Sequence, residues 1–211
     1  MIPFEKYTNN GNTKCSFIHG NGFPPLTYKS LLTELSNKLD ITSMLLRPHW
    51  EKITSPYKLK NWRLFVDDFI QHANEQKITN SVGIGHSIGG NIMLKAAIKN
   101  DRIFKSIVLL DPTIFAPSII YFWKILSLLP KALENFPLAK SARNRKTSYI
   151  SKEDIFISYR KKNIFRNIQD KQLNEYIDSI FEEYQSRYEL NFSKVWEEHI
   201  FLKSVYDDMY V

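Results

Sequence analysis

The sequence predicts an α/β fold in which a mostly parallel sheet is followed by a helical region. Three observations carry this. The earlier part alternates short apolar runs with segments of helical periodicity, the pattern of βα units. One apolar run ends in a glycine-flanked serine that leads straight into a helical pattern. After Pro112 the period changes, and helical spacing continues to the end with no convincing strand.

The elements follow in order. Residues 1–13 hold a candidate strand before the Asn9-Asn10-Gly11-Asn12 turn, and Lys14 to Ile18 reads as a buried strand. A loop with two glycines and two prolines separates it from a helix that Thr27 opens, in which Tyr28, Leu31, Leu32 and Leu35 recur at helical spacing. Ile41 to Leu46 is the next strand, and Arg47 to Lys60 is loop. Asn61 can cap a helix whose apolar positions are Trp62, Phe65, Val66 and Phe69. Ser81 to Gly85 is a strand, the helix after Ser87 runs to about Asn100, and Lys105 to Leu110 is a strand ending at Asp111. Beyond it, Ile114 to Leu129 is mostly apolar, broken by Pro117 and Lys124 and closed by Pro130, too short for a membrane span of about 20 residues. Tyr176, Ile177, Ile180, Phe181 and Tyr184 form one helical stripe, and Val195, Trp196, His199 and Ile200 another.

Composition is that of a folded domain, with 43% hydrophobic and 24% charged residues in 211. The net charge of +7 comes from lysines and arginines mixed among acids, without the basic run of a nucleic-acid or membrane patch. Nucleic acid is therefore not an expected partner. One cysteine, Cys15, cannot close an internal disulfide, and the first dozen residues lack the apolar stretch of a secretory signal. A cytoplasmic location is the expectation.

The chemistry concentrates in Gly85-His86-Ser87-Ile88-Gly89, followed by Gly90. A serine thrust out on a strained strand-to-helix turn needs nearly side-chain-free residues two before and two after it. The same turn aims the Ile88 N–H and the helix N-terminus at a developing oxyanion. A phosphate-cradling loop is the other reading of such glycines, but the Gly-Lys-Ser/Thr ending and G-x-G-x-x-G spacing are absent. A second oxyanion donor must come from another loop. His19-Gly20-Asn21-Gly22-Phe23-Pro24, directly after a strand, offers the Asn21 N–H.

With these motifs the chain resembles the α/β-hydrolases, in particular a bacterial branch of small esterase-like members. The matching residues are Phe17 to Pro25 with Tyr28, Gly83 to Gly90, and Val108-Leu109-Leu110-Asp111-Pro112. The resemblance implies an α/β-hydrolase fold with a helical cap, and hydrolysis of carboxylic esters or related acyl compounds by a Ser-Asp-His triad without a cofactor or metal. It also implies a division into a core of residues 1–112 and a cap of residues 113–206, with 207–211 preceding further core strands.

The departure from that family matters equally. Its triad acid and histidine follow the seventh and eighth strands, which with their connections would add about 50 residues beyond the cap. The sequence thus reads as lacking the last strands and the catalytic histidine. His199 is the only histidine after Ser87, and its spacing with Trp196 and Ile200 reads as packing; it is nonetheless the candidate base. Asp111, at the carboxyl end of a strand, is the candidate acid, although Asp-Pro is also ordinary turn chemistry. His49 reads as a pocket-shaping residue, His86 as packing beside the serine, and His72 as a helix position. Ile107 to Leu110 is expected to be left as an open sheet edge through which the chain self-associates. Phe115, Tyr121, Phe122 and Trp123 make a small apolar acyl substrate the expected partner. Two classes of function remain: an acyl-ester hydrolase, impaired as this chain, and a non-catalytic binding protein that keeps the pocket.

Overall fold

The computed structural model describes residues 1–52, 54–129 and 135–206. Pro130 and the expected segment 207–211 lie outside the described residues. Five strands form the main sheet: β1 (Phe4–Tyr7), β2 (Thr13–Ile18), β3 (Leu39–Met44), β4 (Ser81–His86) and β5 (Phe104–Leu110). Their order is β1-β3-β2-β4-β5. β1, the strand expected somewhere within residues 1–13, runs antiparallel to β3, and all other pairs are parallel.

Side chains alternate between the faces of a strand, and β2 uses both. Cys15 and Phe17 point to one side and join Ile41 and Ile84 under Leu32 of α1 (Lys29–Leu35). Ile18 points to the other side, where Phe65, Phe69, Ile92 and Met93 of α2 (Arg63–Glu75) and α3 (Ile88–Lys99) cover it. Asn61 accepts a hydrogen bond from the Arg63 N–H at 3.1 Å, so its side chain does serve the start of α2.

This winding positions the site. From β2 the chain crosses through α1 to β3 on one side, whereas from β4 it crosses through α3 to β5 on the other. The direction reverses between β2 and β4, and the crevice outside the carboxyl ends of two such strands is where open α/β sheets bind ligands. The loop after β2 begins at His19 and the turn after β4 is Ser87. At the far side, β5 has no outer neighbour among the described residues, and its Val108 is 45% exposed.

The region after β5 is not all helical. It holds α4 (Pro117–Leu126), α5 (Pro137–Arg143), α6 (Lys152–Arg160), α7 (Asp170–Ile180) and α8 (Lys194–Lys203). It also holds a three-stranded antiparallel sheet of β6 (Ser148–Tyr149), β7 (Phe181–Tyr184) and β8 (Arg187–Leu190), in the order β6-β8-β7. The expected helical stripe from Tyr176 to Tyr184 therefore breaks after Ile180. Gln185 and Ser186 both adopt positive φ (48° and 63°), which makes a two-residue hairpin between the paired Tyr184 and Arg187. None of the described helices is long and apolar enough to cross a membrane.

Tyr149, Tyr159, Phe165, Tyr176 and Phe181 give this region its own aromatic core, against which Phe23 of the first loop packs. α8 returns to the main core, where Trp196 and Ile200 join Trp62 and Phe65. Trp62 Nε1–H donates to the Ile200 carbonyl at 2.9 Å, and Trp196 Nε1–H to the Thr54 carbonyl at 2.8 Å.

Candidate active site

Ser87 sits between β4 and α3 with φ 54° and ψ −120°, a conformation that costs a non-glycine residue about 1–3 kcal/mol and is held by its surroundings. The Ser87 N–H donates to the Leu110 carbonyl at 3.0 Å, and the Ser87 carbonyl accepts from Gly90 and Thr113 at 3.0 and 3.1 Å. The turn is thus tied to the end of β5 and to the start of its own helix. Close approach explains the glycines beside it. A Cβ on Gly89 would lie 2.1 Å from the Ile18 carbonyl oxygen, and one on Gly85 would lie 2.4 Å from the Gly89 carbonyl oxygen.

The loop after β2 folds back as a four-residue turn. The Phe23 N–H donates to the Gly20 carbonyl at 3.1 Å, and Gly22 in the third position has φ 74°, the left-handed conformation that a type II turn demands there. Two histidines fix the turn from behind. His19 is fully buried; the Leu46 N–H donates to its Nε2 at 3.0 Å, so that nitrogen is an acceptor and the proton resides on Nδ1. Nδ1–H then donates to the Gly20 carbonyl at 2.8 Å. Burial holds the His19 pKa down to about 4, against the weaker raising effect of the Gly20 carbonyl. The neutral ring ties the end of β3 to the start of the turn. On the other side the Gly20 N–H donates to the Tyr28 hydroxyl at 3.2 Å, and that hydroxyl lies 2.7 Å from His86 Nδ1. Burial also lowers the His86 pKa, with Asp111 acting in the opposite sense.

These pieces wall one cavity of about 700 Å³. Asn21, His86, Ser87, Asp111 and Thr113 line one part of it, and Phe23, Phe115, Ile164, Phe165 and Tyr176 much of the rest. Ser87 Oγ has the Thr113 hydroxyl as its partner at 3.1 Å. Ile88 opens α3 beside it, where the first N–H groups of a helix have no intrahelical acceptor.

The remaining sequence candidates fall as follows. Asp111 borders the cavity with φ 43°, one residue beyond β5. His199 is on α8, with Nδ1 2.8 Å from the Val195 carbonyl and its ring against Tyr57 at 4.8 Å; it is not among the residues lining the cavity. His49 packs between His19 and Phe192, and His72 is buried between Phe4 and Phe69. Burial pushes the Cys15 thiol up to about 12, so it is an inert packing residue. Among the described residues no cluster of His, Cys, Asp or Glu could hold a metal ion.

Sequence pattern alone did not single out Thr113, or the buried pair Arg145–Glu197 that abuts the turn. Arg145 donates to both carboxylate oxygens of Glu197, Nε to Oε2 at 2.8 Å and Nη2 to Oε1 at 2.5 Å. Its Nη1 donates to the Tyr159 and Tyr176 hydroxyls at 2.9 and 3.1 Å. The Asn21 side-chain amide donates to the Glu197 carbonyl at 2.9 Å.

Known proteins resemble this chain in sequence and in fold. The uncharacterized hydrolase YugF of Bacillus subtilis is 28% identical over 112 residues, a match spanning 52% of this chain and 40% of YugF. The type I acyl-CoA thioesterase mpaH′ of Penicillium brevicompactum is 33% identical over 113 residues, spanning 46% of this chain and 25% of that protein. The chain thus matches less than half the length of these curated relatives. No family model matches. Among solved structures, E-2-(acetamidomethylene)succinate hydrolase superposes with a TM-score of 0.73 at 15% identity, covering 98% of this chain and 69% of that one. The thioesterase domain from the curacin biosynthetic pathway gives 0.65 at 11% identity, covering 92% and 69%.

Proposed function

We propose that this chain, which has the α/β-hydrolase fold, binds small apolar acyl compounds and cleaves their ester or thioester bond at Ser87. The observation that carries the reading is the meeting of the strained serine turn with the Gly20–Phe23 turn at the reversal point of the sheet, over one largely apolar cavity. In this reading the acyl chain lies along Phe23, Phe165 and Tyr176 while its carbonyl carbon faces Ser87 Oγ. The bond from Oγ to that carbon forms as the carbon's bond to oxygen or sulfur breaks, and the alcohol or thiol leaves with the hydroxyl proton. Water then releases the acid. The Asn21 and Ile88 N–H groups take the oxyanion, each worth roughly 2.7–4 kcal/mol in such a site. Asp111 borders the same space and is the carboxylate nearest in role to a triad acid.

A second reading, ligand binding without turnover, is favoured by one specific feature: Ser87 Oγ is hydrogen-bonded to a threonine hydroxyl, and no described imidazole hydrogen-bonds it. The two readings separate in a single comparison. With p-nitrophenyl acyl esters as substrates, Ser87→Ala is expected to lower kcat/KM by ~100-fold or more, with binding of the corresponding free acid nearly unchanged. Wild-type hydrolysis no faster than that of Ser87→Ala, with the acid still bound, would establish the binding reading instead.

A further inference from the structure

We propose that the Arg145–Glu197 ion pair is a positioning device that holds the Asn21–Gly22 turn in its oxyanion-accepting shape, an inference that rests on the acyl-transfer reading of Ser87. The pair is deeply buried: the side chains of Arg145 and Glu197 are 12% and 3% exposed. It joins elements far apart in the chain. Arg145 follows α5, Glu197 is on α8, and the two tyrosine hydroxyls come from α6 and α7.

Contact with the turn is direct. A Cβ on Gly22 would lie 2.5 Å from Glu197 Oε1 and 3.5 Å from Arg145 Nη2, so the backbone of the turn rests on the pair itself. One residue earlier, the Asn21 side chain is drawn toward α8 by the Glu197 carbonyl. Asn21 is only 6% exposed, its side-chain amide is held by that carbonyl, and the residue borders the cavity.

Physical reasons make this pair suited to positioning. Burying two charges costs several kcal/mol, and apolar residues of similar volume often stabilise a protein equally well or better. What an apolar pair lacks is direction. The bidentate guanidinium–carboxylate contact fixes the direction of Oε1, and the third guanidinium nitrogen, Nη1, is held by two hydroxyls. An oxyanion donor acts only when it is aimed before the reaction begins.

The test is a paired replacement, Arg145→Met with Glu197→Leu, which removes both charges together and keeps the packing. Single replacements would strand a buried charge and unfold the site. Two quantities are read. Hydrogen exchange of the peptide spanning residues 19–23 should quicken at least ~10-fold in the paired variant, with β4 and α3 unchanged. With a fluorophosphonate probe, which phosphonylates serine and whose phosphoryl oxygen takes the oxyanion position, the maximal rate of modification at Ser87 should fall ~10- to 100-fold while the probe's binding constant stays within about twofold. Arg145→Lys, which keeps the charge and loses the fork, should fall between. Unchanged exchange, or an unchanged maximal rate in a folded paired variant, overturns the positioning role. Failure of the wild-type protein to react at Ser87 overturns the acyl-transfer reading instead, and is recognised because it appears before any substitution is made.

Discussion

Gly89→Ala is expected to destabilise the fold by about 3 kcal/mol or more and to slow reaction at Ser87 by ~100-fold in whatever remains folded. The cause is contact with backbone. The added methyl would meet the Ile18 carbonyl oxygen at 2.1 Å and the His19 carbonyl oxygen at 2.9 Å, neither of which can swing aside as a side chain would. Relief requires α3 to move away from the end of β2, which carries Ser87 away from the Gly20–Phe23 turn. Gly83→Ala is the control. Its nearest contact is the ring of Phe104 at 2.8 Å, a side chain that can tilt, so its cost should be distinctly smaller. Urea unfolding of the two variants checks the ranking, and equal midpoints would contradict it.

Acid should unfold this protein from a pH well above the ordinary carboxylate range. His19 and His72 are buried and His49 is partly buried with its Nε2 enclosed, and desolvation lowers each pKa below its unfolded value of about 6.5. Between the two values the unfolded chain binds more protons than the folded one, so stability rises with pH there and is lost as pH falls. For His19, with a folded value of about 4, the loss from pH 7 to pH 4 is about 3 kcal/mol. His49 and His72 add to it in the same sense. Both ring nitrogens of His72 are buried without a hydrogen-bond partner among the described residues. His72→Leu should therefore keep or raise stability at pH 7 and flatten the acid limb, whereas His19→Leu should lose the tie between Leu46 and Gly20. Thermal melts from pH 7.5 to 4.5 read this directly. A melting temperature independent of pH over that range would contradict the burial argument.

The parallel sheet was legible because β2, β3, β4 and β5 are apolar runs separated by helical spacing, and each begins and ends within two residues of its expected bounds. The serine turn was legible for a different reason. Its steric demand is local, so Gly85 and Gly89 had to stand next to it in the sequence. The cap was harder to read. In Ile177, Ile180, Phe181 and Tyr184 a helical period runs without interruption into a four-residue strand, and Gln185-Ser186 carries none of the Asn-Gly or Asp-Gly signal of a tight hairpin. Nor could spacing reveal the Arg145–Glu197 pair. Arg145 stands among other basic residues from Lys140 to Lys146, and Glu197 is one of two adjacent glutamates on α8. Only folding distinguishes the buried Glu197 from the part-exposed Glu198, which pairs with Arg143.

Covalent mapping decides whether Ser87 is the reactive group that we propose. The protein is incubated with a phosphonylating fluorophosphonate probe, its intact mass is measured, and the adduct is located by peptide sequencing. Attack by Ser87 Oγ on phosphorus breaks the P–F bond, fluoride leaves, and the hydroxyl proton passes to solvent. One adduct per chain is expected, on the peptide containing Gly85-His86-Ser87 and absent from Ser87→Ala. Because the Ser87 hydroxyl is paired with Thr113 and with no imidazole among the described residues, the reaction should be slow, and loss of the histidine from a complete triad can cost ~10⁶ in kcat. An adduct on any other serine, or one that persists in Ser87→Ala, would contradict the assignment.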